Sequence, residues 1–202
     1  MHILHLDSSV LGGQSVTRLL TGALVDALRR AHPQSEISYR DLAAEPITHL
    51  SGEILGANFT PEAEWNDVQR REKACTETLL NEFLSADVVV IGAPMYNFSI
   101  PSQLKAWIDR VAAAGRTFKY TEAGAVGLAG GKKVYIVSGR GGVYSTGQGQ
   151  LMDFQEDYLK TVLGFLGITD IEVVRAEAVN MGQAQREAAI RTAQDVIATL
   201  AV

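Results

Sequence analysis

"DVVVIGAPMYNFSIPSQLKAWIDRV", residues 87–111, decides how this chain folds. Residues 87–92 are apolar without alternation, the pattern of a central parallel strand covered on both faces. From 101 to 114 the spacing becomes helical, with Pro101 in the first turn and Leu104, Trp107, Ile108 and Val111 on one side. A buried strand running into an amphipathic helix is half of a parallel crossover unit. The same unit recurs on either side. Residues 3–6 read as a strand, followed by a helix over 15–32 in which Leu19, Leu20, Ala23, Leu24 and Leu28 fall at helical spacing. Residues 36–41 alternate like an outer strand. Residues 65–85 are helical, with Leu79, Leu80, Phe83 and Leu84 as the apolar face. A buried strand over 132–138, a helix over 152–166, a strand over 168–176 and a closing helix over 187–200 complete the chain. Five alternations predict an α/β fold built on a doubly wound, five-stranded parallel sheet of order 2-1-3-4-5, one domain over residues 1–202.

Composition narrows the partners. A net charge of -5 with no Lys/Arg run argues against nucleic acid, though backbone amides can still hold a small anion. Cys75 is the only cysteine, so neither an internal disulfide nor a CxxC pair is available, which fits a reducing cytoplasm. No apolar run approaches the ~18 residues of a membrane span. The four histidines show no ligand spacing with Cys75, so no metal is expected. Ser138 lacks the G-x-S-x-G elbow of a hydrolase.

In a doubly wound sheet, ligands bind beyond the carboxyl ends of the strands, where the winding reverses. Three loops are therefore expected to meet a ligand. The first, "DSSVLGGQSVT" (7–17), sets Ser9, Ser15 and Thr17 around a glycine pair just before a helix. A helix start offers free N–H groups and partial positive charge, hence a phosphate site, with Arg18 as a nearby cation. It is not a Walker A loop, because no G-K-[ST] follows the glycines. The second loop, residues 94–101, offers Met95 and Phe98 to cover an aromatic face and Asn97 to meet a ring edge. The third, "SGRGGVY" (138–144), has three glycines that let backbone approach a ligand and present N–H groups. It is no dinucleotide fingerprint either, since Tyr144 stands where a third spaced glycine is needed. Taken singly, each loop also reads plainly: Ser15 as a helix cap, Met95 and Phe98 as a plug, the glycines as a turn. Taken together they ask for a phosphate, a flat heteroaromatic ring and hydrogen-bonding edges. FMN has all three.

With "PMYNF" and "TFKYTE" as its specific part, and "DSSVLGGQSVT", "AGRTFKYTEAGAVGL" and "SGRGGVY" beside it, the chain resembles the FMN-dependent NADH:quinone oxidoreductases known as azoreductases, of the flavodoxin-like superfamily. The resemblance runs essentially end to end. It implies that Ser9, Ser15, Val16 and Thr17 hold the phosphate, and that Met95, Tyr96, Asn97, Phe98, Ser138, Gly139, Arg140, Gly141 and Gly142 line the flavin. Asn97 is then the expected contact to flavin N5, and no side chain acts as nucleophile or acid–base catalyst. It also implies a homodimer whose substrate pocket takes in Phe98, Phe118, Tyr120 and Tyr144. NADH or NADPH would serve as donor and a quinone or azo compound as acceptor, by alternate use of one site. Members of that family often carry histidine where Tyr144 stands, so a role resting on that imidazole does not carry over. The rival reading is a flavodoxin-type FMN electron carrier that turns over no small molecule; the long first loop and the excursion over 39–65 count against it.

Overall fold

The computed structural model describes residues 1–200 and runs β1 (His2–Asp7), α1 (Val16–Ala31), β2 (Glu36–Asp41), α2 (Gly52–Gly56), α3 (Asp67–Ser85), β3 (Val88–Pro94), α4 (Ser102–Val111), β4 (Phe118–Thr121), β5 (Gly124–Gly127), β6 (Lys133–Gly139), α5 (Glu156–Phe165), β7 (Asp170–Ala176) and α6 (Gln183–Leu200). The last two residues of the predicted domain lie outside the described residues. Five strands form a parallel sheet in the order β2-β1-β3-β6-β7. Counting only strands of this sheet, that is the expected 2-1-3-4-5 winding. β4 and β5 form a separate antiparallel pair that the sequence reading did not anticipate. Its residues, "FKYT" and "GAVG", lack the apolar run that announces a core strand.

Two apolar faces account for the packing. Along β3 and β6 the side chains alternate: Val88, Val90, Tyr135 and Val137 join one cluster with Leu20, Leu24 and Leu28 of α1 and Ala193 and Ile197 of α6. Val89, Ile91, Val134 and Ile136 join the other with Leu79, Leu80 and Phe83 of α3, Leu104, Trp107 and Val111 of α4, and Leu159 and Leu163 of α5. Both faces of the central strands are thus dry, which is why these segments read as unbroken apolar runs. Each fully buried Val, Leu or Phe contributes roughly 1.5–3 kcal/mol by area. Leu19, counted at sequence level with the α1 stripe, is half exposed because it lies one step off the buried 20-24-28 line. The helix expected over 152–166 begins only at Glu156, since Gly147–Met152 is a separate 3₁₀ turn.

One buried ion pair ties the second face together. Arg110 of α4 donates to Glu72 Oε2 of α3 at 2.5 Å, to Thr76 Oγ1 at 2.9 Å and to the Thr48 carbonyl at 3.0 Å. It therefore pins α4, α3 and the start of the 39–65 excursion at one point. Burial alone would raise the Glu72 pKa, but the Arg110 and Thr48 hydrogen bonds and the Arg110 charge outweigh it and hold the carboxyl below its usual value. Arg110→Ala removes the buried cation from Glu72, leaving it only the Thr48 hydroxyl and the exposed Arg71 at 3.5 Å, and is expected to destabilise by about 3–5 kcal/mol, read as a lower urea midpoint. In the parent protein this stabilisation is present above the ordinary glutamate value of about 4.3 and is lost as the pH falls through the lower folded value. The variant should show a correspondingly shallower acid limb.

Candidate functional site

The parallel register brings the three loops to one rim. Asp7 is level with Gly92, Pro94 with Gly139, and Gly139 with Ala176. Beyond that line the loops touch. Ser9 Oγ and the Tyr96 hydroxyl are 3.2 Å apart, and the Val10 amide donates to the same hydroxyl at 3.2 Å. The Met95 amide donates to the Gly139 carbonyl at 2.7 Å. A Cβ on Gly139 would lie 2.6 Å from Thr17 Cγ2, so only glycine lets β6 and the start of α1 come this close. Loops one, two and three therefore meet pairwise.

The first loop is built on a helix start. Ser15 caps α1 by accepting the Arg18 amide at 3.2 Å and lies 3.0 Å from Thr17 Oγ1. The amides of Val16 and Thr17 have no partner among the described residues. Free first-turn amides beside the Ser9, Ser15 and Thr17 hydroxyls suit a phosphate. Arg18, the cation the sequence offered for that anion, points elsewhere: it donates to Asp41 at 2.6 Å and to Tyr39 at 2.9 Å. Beneath the loop, buried Asp7 accepts from Thr21 at 2.8 Å and from Tyr39 at 3.1 Å. Burial, reinforced by the Asp7 charge, pushes the Tyr39 hydroxyl up to about 12, so it stays a donor. The cation that does touch the loop is Arg186, which donates to the Gln14 carbonyl at 3.0 Å.

The second loop turns on residues 96–99. Tyr96 and Ser99 exchange both backbone hydrogen bonds, at 3.0 and 3.1 Å, while Asn97 (φ 48°) and Phe98 (φ 69°) both sit in the left-handed region. Two positive φ values define a type I′ turn, which normally takes Asn-Gly; a phenylalanine there is strained. The turn leaves Asn97 and Phe98 exposed at the rim, with Met95 and Tyr96 half-buried behind them.

In the third loop the expected residues divide. The amides of Gly141 and Gly142 donate to nothing among the described residues. Ser138 and Arg140, expected as ligand contacts, turn their side chains inward. Ser138 Oγ donates to Gln155 at 2.8 Å, and the fully buried Arg140 guanidinium meets Glu156 at 2.6 Å, Asp153 at 2.8 Å and Glu177 at 3.1 Å. Both backbone groups of Arg140 are also taken, by Ala176 and Val179. These two residues brace the loop from behind. Gln155, which bonds Ser138, Arg140 and the Ala93 carbonyl, and Glu177 were not foreseen; an isolated Gln or Glu carries no pattern in a sequence.

The four expected pocket residues do not gather within one chain. Phe98 and Tyr144 meet edge-on at the rim, ring centroids 6.1 Å apart. Phe118 instead packs on Phe165 at 4.6 Å and on Tyr120 at 5.5 Å, at the end of α5, which lies toward the amino ends of the strands. Tyr120 is three-quarters exposed there. A separate cleft of about 1090 Å³ runs between α2–α3 and the end of α4, lined by Leu50, Phe59, Trp65 and Phe118 among others. It shares no residue with the three loops.

With this geometry, the likeness to known proteins can be read closely. A family model described as "Flavodoxin-like fold" matches residues 1–200. An FMN-dependent NADH:quinone oxidoreductase of Chromobacterium violaceum is 62% identical over 202 residues, covering all of both chains. One from Azospirillum brasilense is 57% identical over 204 residues, covering 100% of this chain and 98% of its own. Among solved structures, an azoreductase of Bacillus anthracis str. Sterne superposes with a TM-score of 0.91 at 31% identity over 100% of this chain and 98% of that one. An FMN-dependent NADH-azoreductase of Bacillus anthracis str. Ames Ancestor, in complex with FMN, gives 0.88 at 25% identity over all of both chains. Three loops that meet on one rim, on a sheet wound this way and with relatives this close end to end, place the chain in the flavodoxin-like fold family, among its FMN-dependent NADH:quinone oxidoreductases.

Proposed function

We propose that the whole chain acts as one FMN-binding domain that takes electrons from NADH and delivers them to quinones and aromatic azo compounds. The observation that carries this reading is the pairwise meeting of the three loops through Ser9–Tyr96, Met95–Gly139 and Thr17–Gly139. The residues present fit the cofactor: a helix start with free amides and hydroxyls for the phosphate, and a glycine-limited cradle beside it. When bound, FMN supplies the redox chemistry, accepting a hydride from the nicotinamide and passing the electron pair to the acceptor. In this reading Val16 and Thr17 offer amides, and Ser9, Ser15 and Thr17 offer hydroxyls, to the phosphate. Met95, Tyr96 and Phe98 flank the ring, and Asn97 sits by N5. The free amides of Gly141 and Gly142 would be the donors available to a bound flavin's polar edge, the physics of an oxyanion hole. Gly139 supplies the close approach, while Ser138 and Arg140 hold that loop from behind.

For the donor, Arg18 pairs with Asp41 and Arg116 pairs with Glu77 at 2.7 Å. Exposed Lys119 has no such partner and could meet a 2′-phosphate, so NADH is read as the donor from the names of the close relatives. For the assembly, Phe118 and Tyr120 can only shape a pocket with Phe98 and Tyr144 if they come from a second copy. Phe59, 84% exposed beside exposed Leu50 and Leu55, gives that copy an apolar surface to cover. The same face holds the large cleft, so we read it as the homodimer interface. No described helix is long and apolar enough to cross a membrane. The half-exposed free thiol of Cys75 suits a reducing, cytoplasmic setting. An electron carrier is the less favoured alternative, since the close relatives bear the names of reductases.

Three measurements bear on this. Anaerobic NADH should bleach the yellow holoprotein, and a benzoquinone should restore the colour; a flavin that stays oxidised under NADH would favour the carrier. Ser9→Ala removes a hydroxyl worth about 1 kcal/mol net, so titration of apoprotein with FMN should show roughly five- to tenfold weaker binding. Phe59→Glu places a charge in the apolar face and should halve the mass found by light scattering; an unchanged mass would put the interface elsewhere.

A further inference from the structure

Glu177 follows directly on the last residue of β7, and four donors converge on its carboxylate. Oε1 accepts the amides of Tyr144 at 2.8 Å and Ser145 at 3.0 Å, and Arg140 Nη1 at 3.1 Å. Oε2 accepts the Ser145 hydroxyl. Burial would raise its pKa, yet the Ser145 hydroxyl, the Tyr144 amide and Arg140 hold it below the usual range, so it stays an acceptor.

Its anchor is firm. The strand before it pairs with β6, and the Arg140 amide donates to Ala176 at 2.9 Å. Among the described residues, the segment it holds is tied elsewhere only through carbonyls, of Gly141 to Asn180, Gly142 to Ala178 and Ser145 to Gln150, so the Tyr144 and Ser145 amides depend on Glu177. Residues 141–146 belong to no helix or strand, and two of them are glycine. The Tyr144 ring lies over Gly142, where an added Cβ would sit 3.3 Å from Cε2, and meets Phe98 edge-on. That contact joins the second loop to the third across the mouth of the site.

We infer that Glu177 is a positioning residue: by fixing the backbone at Tyr144 and Ser145 it sets the Tyr144–Phe98 pair as one wall of the site where NADH and the acceptor bind in turn. The inference rests on the oxidoreductase reading above, but its structural half stands apart from it. Removal of the carboxylate does not strip Arg140 bare, because Asp153 and Glu156 remain. The loop, not the fold, should respond.

The test compares FMN-loaded wild type with Glu177→Ala, Glu177→Gln, Tyr144→Ala and the Glu177→Ala/Tyr144→Ala double variant. Amide hydrogen exchange at 144 and 145 should quicken at least about tenfold in Glu177→Ala, the loss of one net hydrogen bond per amide, and recover in Glu177→Gln, which keeps an acceptor oxygen. The KM for a benzoquinone should rise about tenfold in Glu177→Ala with kcat changed less than about threefold, since a wall contact is made equally in ground and transition states. The double variant should be no worse than Tyr144→Ala alone, the mark of one residue acting through another. Unchanged exchange at 144 and 145 overturns the inference whatever the activity. So does an unchanged KM, or an effect that adds fully to that of Tyr144→Ala. If wild type itself is not bleached by NADH, the oxidoreductase reading fails, and exchange alone then decides whether Glu177 holds the loop.

Discussion

The rim exists because Thr17 packs onto the bare Cα of Gly139. A Cβ there would lie 2.6 Å from Thr17 Cγ2, so for any other residue either the Thr17 side chain must turn away or the start of α1 must shift from the end of β6. Helix α1 also packs on β3 and β6 through Val16, Leu20 and Leu24, so that displacement would be felt along the buried face. A second close approach, at Gly92 against Asp7 Oδ1 and Thr21 Cγ2, leaves room for the buried Asp7–Thr21 hydrogen bond beneath the first loop. Gly139, the last residue of β6, thus bears on how near the free amides of α1 come to the third loop. Dense interiors do not absorb an extra methyl without moving something.

Two of the three arginines at this rim are taken up by carboxylates. Arg18 is neutralised by Asp41, and Arg140 is buried among Asp153, Glu156 and Glu177. What remains for an anion is the helix start and hydroxyl groups, which bind by directed hydrogen bonds in a fixed geometry, with Arg186 beside the loop through the Gln14 carbonyl. The buried Arg140 cluster is expensive to desolvate, and replacement by apolar residues is often neutral in such cases. Its value here is geometric. A planar guanidinium has five donors in a fixed fork, and these reach Ser138, Gln155, Asp153, Glu156 and Glu177, gathering the ends of β6 and β7, the third loop and the start of α5 into one rigid support.

How much of this could be read beforehand follows from where the information is local. The strands and helices of the core announce themselves by period, and Leu104, Trp107, Ile108 and Val111 are all buried as that period requires. The three rim loops stood out as candidates because hydroxyls and glycines cluster there in sequence. Roles set by distant partners were not. Nothing beside Arg18 in the sequence says that Asp41 will hold it, and nothing marks Arg140 as buried rather than reaching out. Phe118 and Tyr120 were grouped with Phe98 and Tyr144 by resemblance, and only the fold shows that they occupy the opposite end of the sheet. The β4–β5 pair escaped because its strands are short, mostly exposed and rich in glycine.

The turn at 96–99 shows the same limit from the other side. Asn at the first left-handed position is ordinary, but Phe98 at the second holds a backbone conformation that costs about 1–3 kcal/mol for a bulky side chain. Glycine would remove the strain and keep both Tyr96–Ser99 hydrogen bonds. The strain is held in place from outside the turn: the Phe154 amide donates to the Phe98 carbonyl at 3.0 Å, and Tyr144 lies against its ring. A strained residue that remains 43% exposed is not held there by core packing. What the strain secures is an aromatic ring standing at the mouth of the candidate site, held on its far side by a tyrosine whose own backbone amide donates to a half-buried carboxylate.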